Sequence, residues 1–167
     1  MIKVGDKLPA KMLKEFVTVQ TESCSLGPND VDVHKNTEGK TIALFALPGA
    51  FTPTCSAKHV PGYLSLYEEL KIAGVDEIWC VSVNDAYVMG AWALDQNTDG
   101  KIRMLADGNG EFTKALGMLA DRSSAGMGMR STRYSLLVKD GVVSILNIEE
   151  TGKFDVSDAA TLLSQIK

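Results

Sequence analysis

Residues 41–63 read TIALFALPGAFTPTCSAKHVPGY. The run 41–47 is apolar without alternation, the pattern of a strand covered on both faces of a sheet. Pro48 ends it, and Pro48, Gly49 and Ala50 make a tight turn. Thr52-Pro53 then reads as a helix start, with Thr52 at the N-cap and Pro53 at N1, where a missing N–H costs nothing. Cys55 falls at N3, facing free backbone N–H groups and the positive end of the helix dipole, which favour a thiolate over a thiol. The Thr52 hydroxyl either caps a backbone N–H or reaches back to the sulfur or a bound oxygen, and the sequence leaves both open.

Downstream, Val60, Tyr63, Leu64 and Tyr67 repeat at helical spacing and predict an amphipathic helix to about residue 71. Pro61 interrupts it. A proline there removes the hydrogen bond to the Ala57 carbonyl, so a kink and a loosened first turn are expected. We take that as a hypothesis that Cys55 alternates between a folded pocket and a locally unwound, exposed state. His59, one turn after Cys55 on the same face, is expected either to pack and shape the pocket or to act as a proton donor, with packing favoured. Cys55 and His59 have a spacing that metal sites use, but no further clustered ligands follow, so neither a metal nor a cofactor is expected.

Working outward, residues 1–13 read as an irregular segment broken by Gly5 and Pro9. Short alternating runs at 16–20 and 31–33 flank Gly27-Pro28-Asn29-Asp30, a hairpin signal with Cys24 beside it. Residues 34–40 read as a loop. Residues 77–83 are a second buried strand, with Ile78, Cys80 and Ser82 on one face and Trp79, Val81 and Val83 on the other. Asn84-Asp85 caps a helix to about residue 95. A third strand at 102–105, a turn at 107–110 and a short helix ending at Gly117 follow. Residues 118–129 read as a loop rich in small residues, ahead of strands at 134–138 and 142–148 joined through Asp140-Gly141. Ser157 or Asp158 begins a last helix. This order, strand–helix–strand, helix, hairpin and terminal helix, predicts an α/β fold of thioredoxin type: a central mixed sheet, flanking helices and an N-terminal β-hairpin extension in one domain, 1–167.

The 167 residues are 45% hydrophobic and 23% charged, ordinary globular values, and the net charge of -4 gives no electrostatic reason to expect nucleic-acid binding. The opening MIKVGDKLPAKM lacks the apolar core of a signal peptide, and no run approaches the roughly 20 apolar residues of a membrane span. A soluble, cytoplasmic protein is expected, with an organelle open if a transit peptide has been removed. The three cysteines, Cys24, Cys55 and Cys80, have no C-x-x-C or zinc-ribbon spacing. They fit a reducing compartment in which cysteines are either buried or working.

The run PGAFTPTCSAKHVPGY strongly resembles the active-site signature of the peroxiredoxins, closely that of the type II (peroxiredoxin V) group, with Pro48, Thr52 and Cys55 matching its P-x-x-x-T-x-x-C. The resemblance continues through WCVSVND (79–85), LADGNGEFTKALG (105–117) and GMGMRSTRYSLLV (126–138). It implies a thiol peroxidase that reduces hydrogen peroxide or alkyl hydroperoxides through a Cys55 thiolate, which becomes a sulfenic acid. Pro48 would shield the sulfur, and Thr52 and an arginine would supply donors. Arg130 matches the family's arginine, with Arg133 as its rival. The resemblance also implies regeneration by glutathione with glutaredoxin, the favoured route, or by thioredoxin. Cys80 stands where many type II members carry a second cysteine, yet it lies in a buried strand. Cys24 is more accessible but matches no family position, and no cysteine follows Cys80. A homodimer is expected through the helix after the second strand and the loop before the arginine, where Met118, Leu119, Met127 and Met129 are either interface or core. A thiol–disulfide oxidoreductase is disfavoured because threonine replaces the first cysteine of C-x-x-C. A redox sensor or binding protein using Cys55 as a switch is the remaining alternative.

Overall fold

The computed structural model describes residues 1–166. Strands β1 (Met12–Val17) and β2 (Gly27–Asp32) form an antiparallel hairpin, followed by a short helix α1 (Val33–Thr37) and strand β3 (Thr41–Ala46). A π-helical turn, Cys55–His59, leads into α2 (Val60–Ser65) and α3 (Tyr67–Ile72). Then come β4 (Glu77–Ser82), α4 (Ala86–Asp95), β5 (Ile102–Ala106) and α5 (Glu111–Ala115). The short strands β6 (Leu119–Asp121) and β7 (Met129–Ser131), the long hairpin β8 (Tyr134–Lys139) and β9 (Val142–Ile148), and helix α6 (Ala159–Ile166) complete the chain.

The main sheet runs β2-β1-β5-β4-β3-β8-β9. β3, β4 and β5 pair in parallel, and every other pairing is antiparallel, which makes the sheet mixed. The period of two along β3 and β4 divides the core as expected. Ala43, Phe45, Ile78 and Cys80 pack against α2, α3, α4 and α6, whereas Ile42, Leu44, Trp79 and Val81 pack against the N-terminal segment and α5. Both faces are covered, so the strands read as unbroken apolar runs. Asp85 caps α4 by accepting from the Val88 N–H, and Asp140 and Gly141, both with positive φ, turn the β8–β9 hairpin. Gly90 sits where α4 crosses β1, and a Cβ there would come within 2.7 Å of Phe16.

Three local expectations need correction. The residues read as a hairpin turn, Gly27 to Asp30, lie inside β2, and the turn is residues 18–26 with Cys24 in it. Proline is tolerated because β2 is the edge of the sheet, where one side of the strand needs no ladder partner. Residues 34–40 are not all loop: Asp32 caps α1 by accepting from the Lys35 N–H. The stretch before Arg130 is not all loop either, since β6 and β7 pair as a separate two-stranded ribbon.

Candidate active site

Pro48 terminates β3 and the chain reverses through a turn fastened to the neighbouring strand. The Ala50 N–H donates to Asn84 Oδ1 (3.0 Å), which also accepts from Ser82 Oγ at the end of β4 (2.6 Å). Phe51 adopts a left-handed φ of 62°, uncommon for a residue with a Cβ and costly without the surrounding pins. The helix then starts at Pro53, as its fixed φ favours. Thr52 does not cap with its side chain. Its hydroxyl donates back to the Gly49 carbonyl at 2.7 Å, while its own carbonyl accepts from the Ser56 N–H.

Cys55 lies in the first turn, where N–H groups have no intrahelical acceptor, and its side chain is wholly buried. The turn is wide: the Val60 N–H reaches the Cys55 carbonyl five residues back, the signature of a π-helix. The loosening expected from Pro61 takes this form, because the missing N–H leaves the preceding turn free to rewind.

The arginine at the sulfur is Arg133. Its Nη2 donates to Cys55 Sγ at 3.3 Å and its Nη1 to His59 Nδ1 at 2.9 Å. Arg130, which the resemblance favoured, is turned elsewhere: Nε donates to the Met127 carbonyl (2.9 Å) and Nη1 to that of Val83 (3.1 Å). Pairing explains the exchange. Arg130 belongs to the β6–β7 ribbon and braces the turn at Gly49, whose absent Cβ leaves room for Nη1. Arg133 immediately precedes β8 in the main sheet, and its carbonyl accepts from the Glu149 N–H, which sets it over the Cys55 turn.

His59 is buried, with Nε2 3.0 Å from the Ser157 carbonyl and its ring flanked by Phe45, Tyr63 and Phe154. Burial, then the charge of Arg133, lowers its pKa to about 3. The neutral imidazole is favoured near neutral pH, and the ring is packed among aromatic side chains. The loop 149–157 closes this side. Glu149 Oε1 accepts from the N–H groups of Asp155, Val156 and Ser157 and from Ser157 Oγ. Burial opposes the Glu149 charge, but these donors hold its pKa below the usual carboxylate value. Phe154 lies under the Arg133 guanidinium at 5.6 Å, a cation–π contact. Above the turn opens a cleft of about 350 Å³, with Pro48, Thr52, Arg133, Met127 and Phe154 in its wall.

Neither of the other two cysteines is disulfide-bonded to Cys55. Cys80 is buried in the middle of β4, and burial, then the nearby Cys55, pushes its pKa well above the usual value. Cys24 lies in the turn of the β1–β2 hairpin, which β5 and β4 separate from β3 in the sheet. All three cysteines are free thiols.

The family model described as Redoxin matches residues 3–163. Peroxiredoxin-2E, chloroplastic, of Arabidopsis thaliana is 47% identical over 99% of this chain and 69% of its own length. The chain belongs to the peroxiredoxins. This assigns the peroxiredoxin its chemistry, that of a thiol-dependent peroxidase with a thioredoxin-like fold. The crystal structure of reduced Prx3 in complex with hydrogen peroxide from Vibrio vulnificus superposes with a TM-score of 0.92 at 45% identity, covering all of both chains. A Burkholderia cenocepacia structure, provisionally described as a thioredoxin reductase, superposes with a TM-score of 0.97 at 57% identity over 98% of this chain and 97% of its own. The local motif brings Pro48 and Thr52 to the cleft of this peroxiredoxin and Cys55 to the turn beneath it, Arg133 rather than Arg130 stands at the sulfur, and Asn84, Glu149 and Ser157 join through contacts far apart in the chain that leave no local signal.

Proposed function

We propose that Cys55 is the residue that reacts with the hydroperoxide, in a pocket made by Pro48, Thr52 and Arg133. The observation that carries this reading is the Arg133 Nη2 contact to Cys55 Sγ at the cleft. The thiolate attacks one peroxide oxygen, an S–O bond forms as the O–O bond breaks, and the electron pair leaves on the second oxygen, which takes a proton to become water or an alcohol. Cysteine is oxidised to sulfenic acid and the peroxide is reduced by two electrons. The Thr52 proton is committed to the Gly49 carbonyl, so its oxygen is left as an acceptor for the hydroperoxide O–H. The Arg133 fork stays charged and has donors to spare for the oxygen on which negative charge grows.

The sulfenic acid condenses with an external thiol, releasing water, and a second thiol frees Cys55 from the mixed disulfide. Burial of Cys80 and the remoteness of Cys24 support an external route. Glutathione with glutaredoxin is favoured over thioredoxin: Arg122 and Arg133 line the cleft, while Glu149 is held by loop donors and Glu150 by Lys153, which suits a small thiol carrying carboxylates. Hydrogen peroxide and alkyl hydroperoxides both fit a cleft with apolar and cationic walls. A homodimer is supported by exposed Phe51 and Met129, which flank Thr52 and Arg130, whereas Met118 belongs to the core. A reducing compartment is implied, cytoplasm or plastid-like organelle alike.

The test is stopped-flow oxidation by hydrogen peroxide followed by intact-mass analysis, for the wild type and for Cys55→Ser, Cys24→Ser and Cys80→Ser. Rapid oxidation lost in Cys55→Ser alone, with a sulfenic or sulfinic mass, supports both the site and external resolution. Loss of two hydrogens, abolished by one other substitution, would instead identify an internal partner. Reaction no faster than that of free cysteine would favour Cys55 as a switch.

A further inference from the structure

We infer that His59 is a positioning residue for Arg133, and that the loop 149–157 fixes the His59 tautomer on which that positioning depends. The Ser157 carbonyl can only accept. It accepts from Tyr63 Oη (3.1 Å) and faces His59 Nε2 (3.0 Å), so Nε2 must carry the proton. Nδ1 is then a bare lone pair, and it meets Arg133 Nη1 at 2.9 Å. The opposite tautomer would aim an N–H at a guanidinium N–H and leave the carbonyl facing a lone pair. An imidazolium would put a second cation against Arg133.

Ser157 is itself held. Its N–H and hydroxyl both donate to Glu149 Oε1, and the residue is wholly buried. The Glu149 N–H donates to the Arg133 carbonyl, so the ring closes: Arg133 backbone, Glu149, Ser157, His59, Arg133 side chain. With Nη1 tied to His59 and the stem set by β8, the remaining Nη2 has one direction, toward Cys55 Sγ. His59 touches neither sulfur nor substrate in this scheme. It acts by holding one branch of the guanidinium fork, as a partner behind a ligand sets the ligand's orientation.

This rests on the reading of Cys55 and Arg133 given above, and the experiment separates the two. Second-order oxidation of Cys55 by hydrogen peroxide is measured for His59→Asn, whose amide oxygen sits near the Nδ1 position, and for His59→Gln, whose amide reaches the Nε2 position. His59→Asn is expected to lose less than about threefold and His59→Gln roughly tenfold or more. In an Arg133→Ala background the His59→Gln change should cost nothing further. Equal losses in Asn and Gln, or the same loss with Arg133 absent, would overturn the proposal while leaving the Cys55 assignment intact. Failure of that assignment would show separately, as wild-type oxidation no faster than free cysteine. Should the buried substitutions unfold the chain, heteronuclear NMR of the wild-type imidazole decides instead. A protonated Nε2 and bare Nδ1 through neutral pH supports the inference, and an Nδ1–H tautomer or an imidazolium overturns it.

Discussion

Arg133 and Arg130 stand three residues apart with the same side chain, yet one meets the sulfur and the other meets main-chain carbonyls. Their substitutions should therefore separate. Arg133→Ala is expected to slow peroxide oxidation of Cys55 by on the order of 100-fold, the usual cost of losing one preorganised donor. Arg130→Ala should cost under about tenfold in that rate and lower the melting temperature instead, because it unties Met127 and Val83. Stopped-flow kinetics and thermal melts of the two variants check this, and equal rate losses would contradict it. The same pair marks the limit of reading residues from sequence. Cys55, Thr52 and Pro48 were legible because the helix start is a local event of a few residues. Choosing between Arg130 and Arg133 requires knowing that β7 pairs with β6 and not with the main sheet, a long-range fact.

At the scale of elements, the π-helical turn Cys55–His59 is the segment on which the hypothesis of local unwinding can be tested. Replacing Pro61 by alanine supplies the missing N–H and favours an ordinary α-helical turn. Pro61→Ala is expected to leave the first oxidation within a few fold and to slow, about tenfold, formation of the mixed disulfide, for which Cys55 must be exposed. Rapid-quench mass analysis with glutathione measures both steps. Faster resolution in the variant would refute the role of the loose turn. The strands β3 and β4 were legible because two covered faces impose an unbroken apolar run, and α4 because Asp85 marks its start, not because of a clean buried stripe: of the Val88, Ala91 and Trp92 expected to face inward, Ala91 is exposed. β2 was not, since an edge strand with Gly27 and Pro28 carries the residues of a turn. The short α1 rests on one cap and tertiary packing, not on a stripe.

Over the whole molecule, acid should be the weakness. Arg103 bonds Glu15 through two nitrogens and Glu77 through a third contact, while Lys40 and the Trp79 ring N–H also hold Glu77. Burial works against the Glu77 charge, but Lys40, Trp79 and Arg103 hold its pKa below 4.5. Stability from this group is present above that ordinary value and is lost as pH falls through the depressed one. His59 acts earlier. The unfolded chain takes up a proton near 6.5 that the folded chain refuses until about 3, so stability declines through that window, by on the order of 5 kcal/mol if the whole shift is realised. Urea unfolding at stepped pH should show decline beginning below 6.5. His59→Asn should flatten the early part and leave the carboxylate phase, and an unchanged slope would exclude His59 as its source. The thioredoxin-type order of elements was legible at this scale, because crossover lengths and turn signals restrict topology. The ion network was not, because Glu15, Glu77 and Arg103 meet only after the hairpin folds onto β5. One further consequence concerns traffic. With an external thiol resolving Cys55, as proposed above, oxidant and reductant use the same door in turn. The catalyst then works in two strokes that never overlap, and initial-rate plots at several thiol concentrations should run parallel. A sulfenic acid waiting at that door meets whichever visitor is more abundant, so the ratio of peroxide to thiol, more than the amount of peroxide, sets how many cycles each molecule survives.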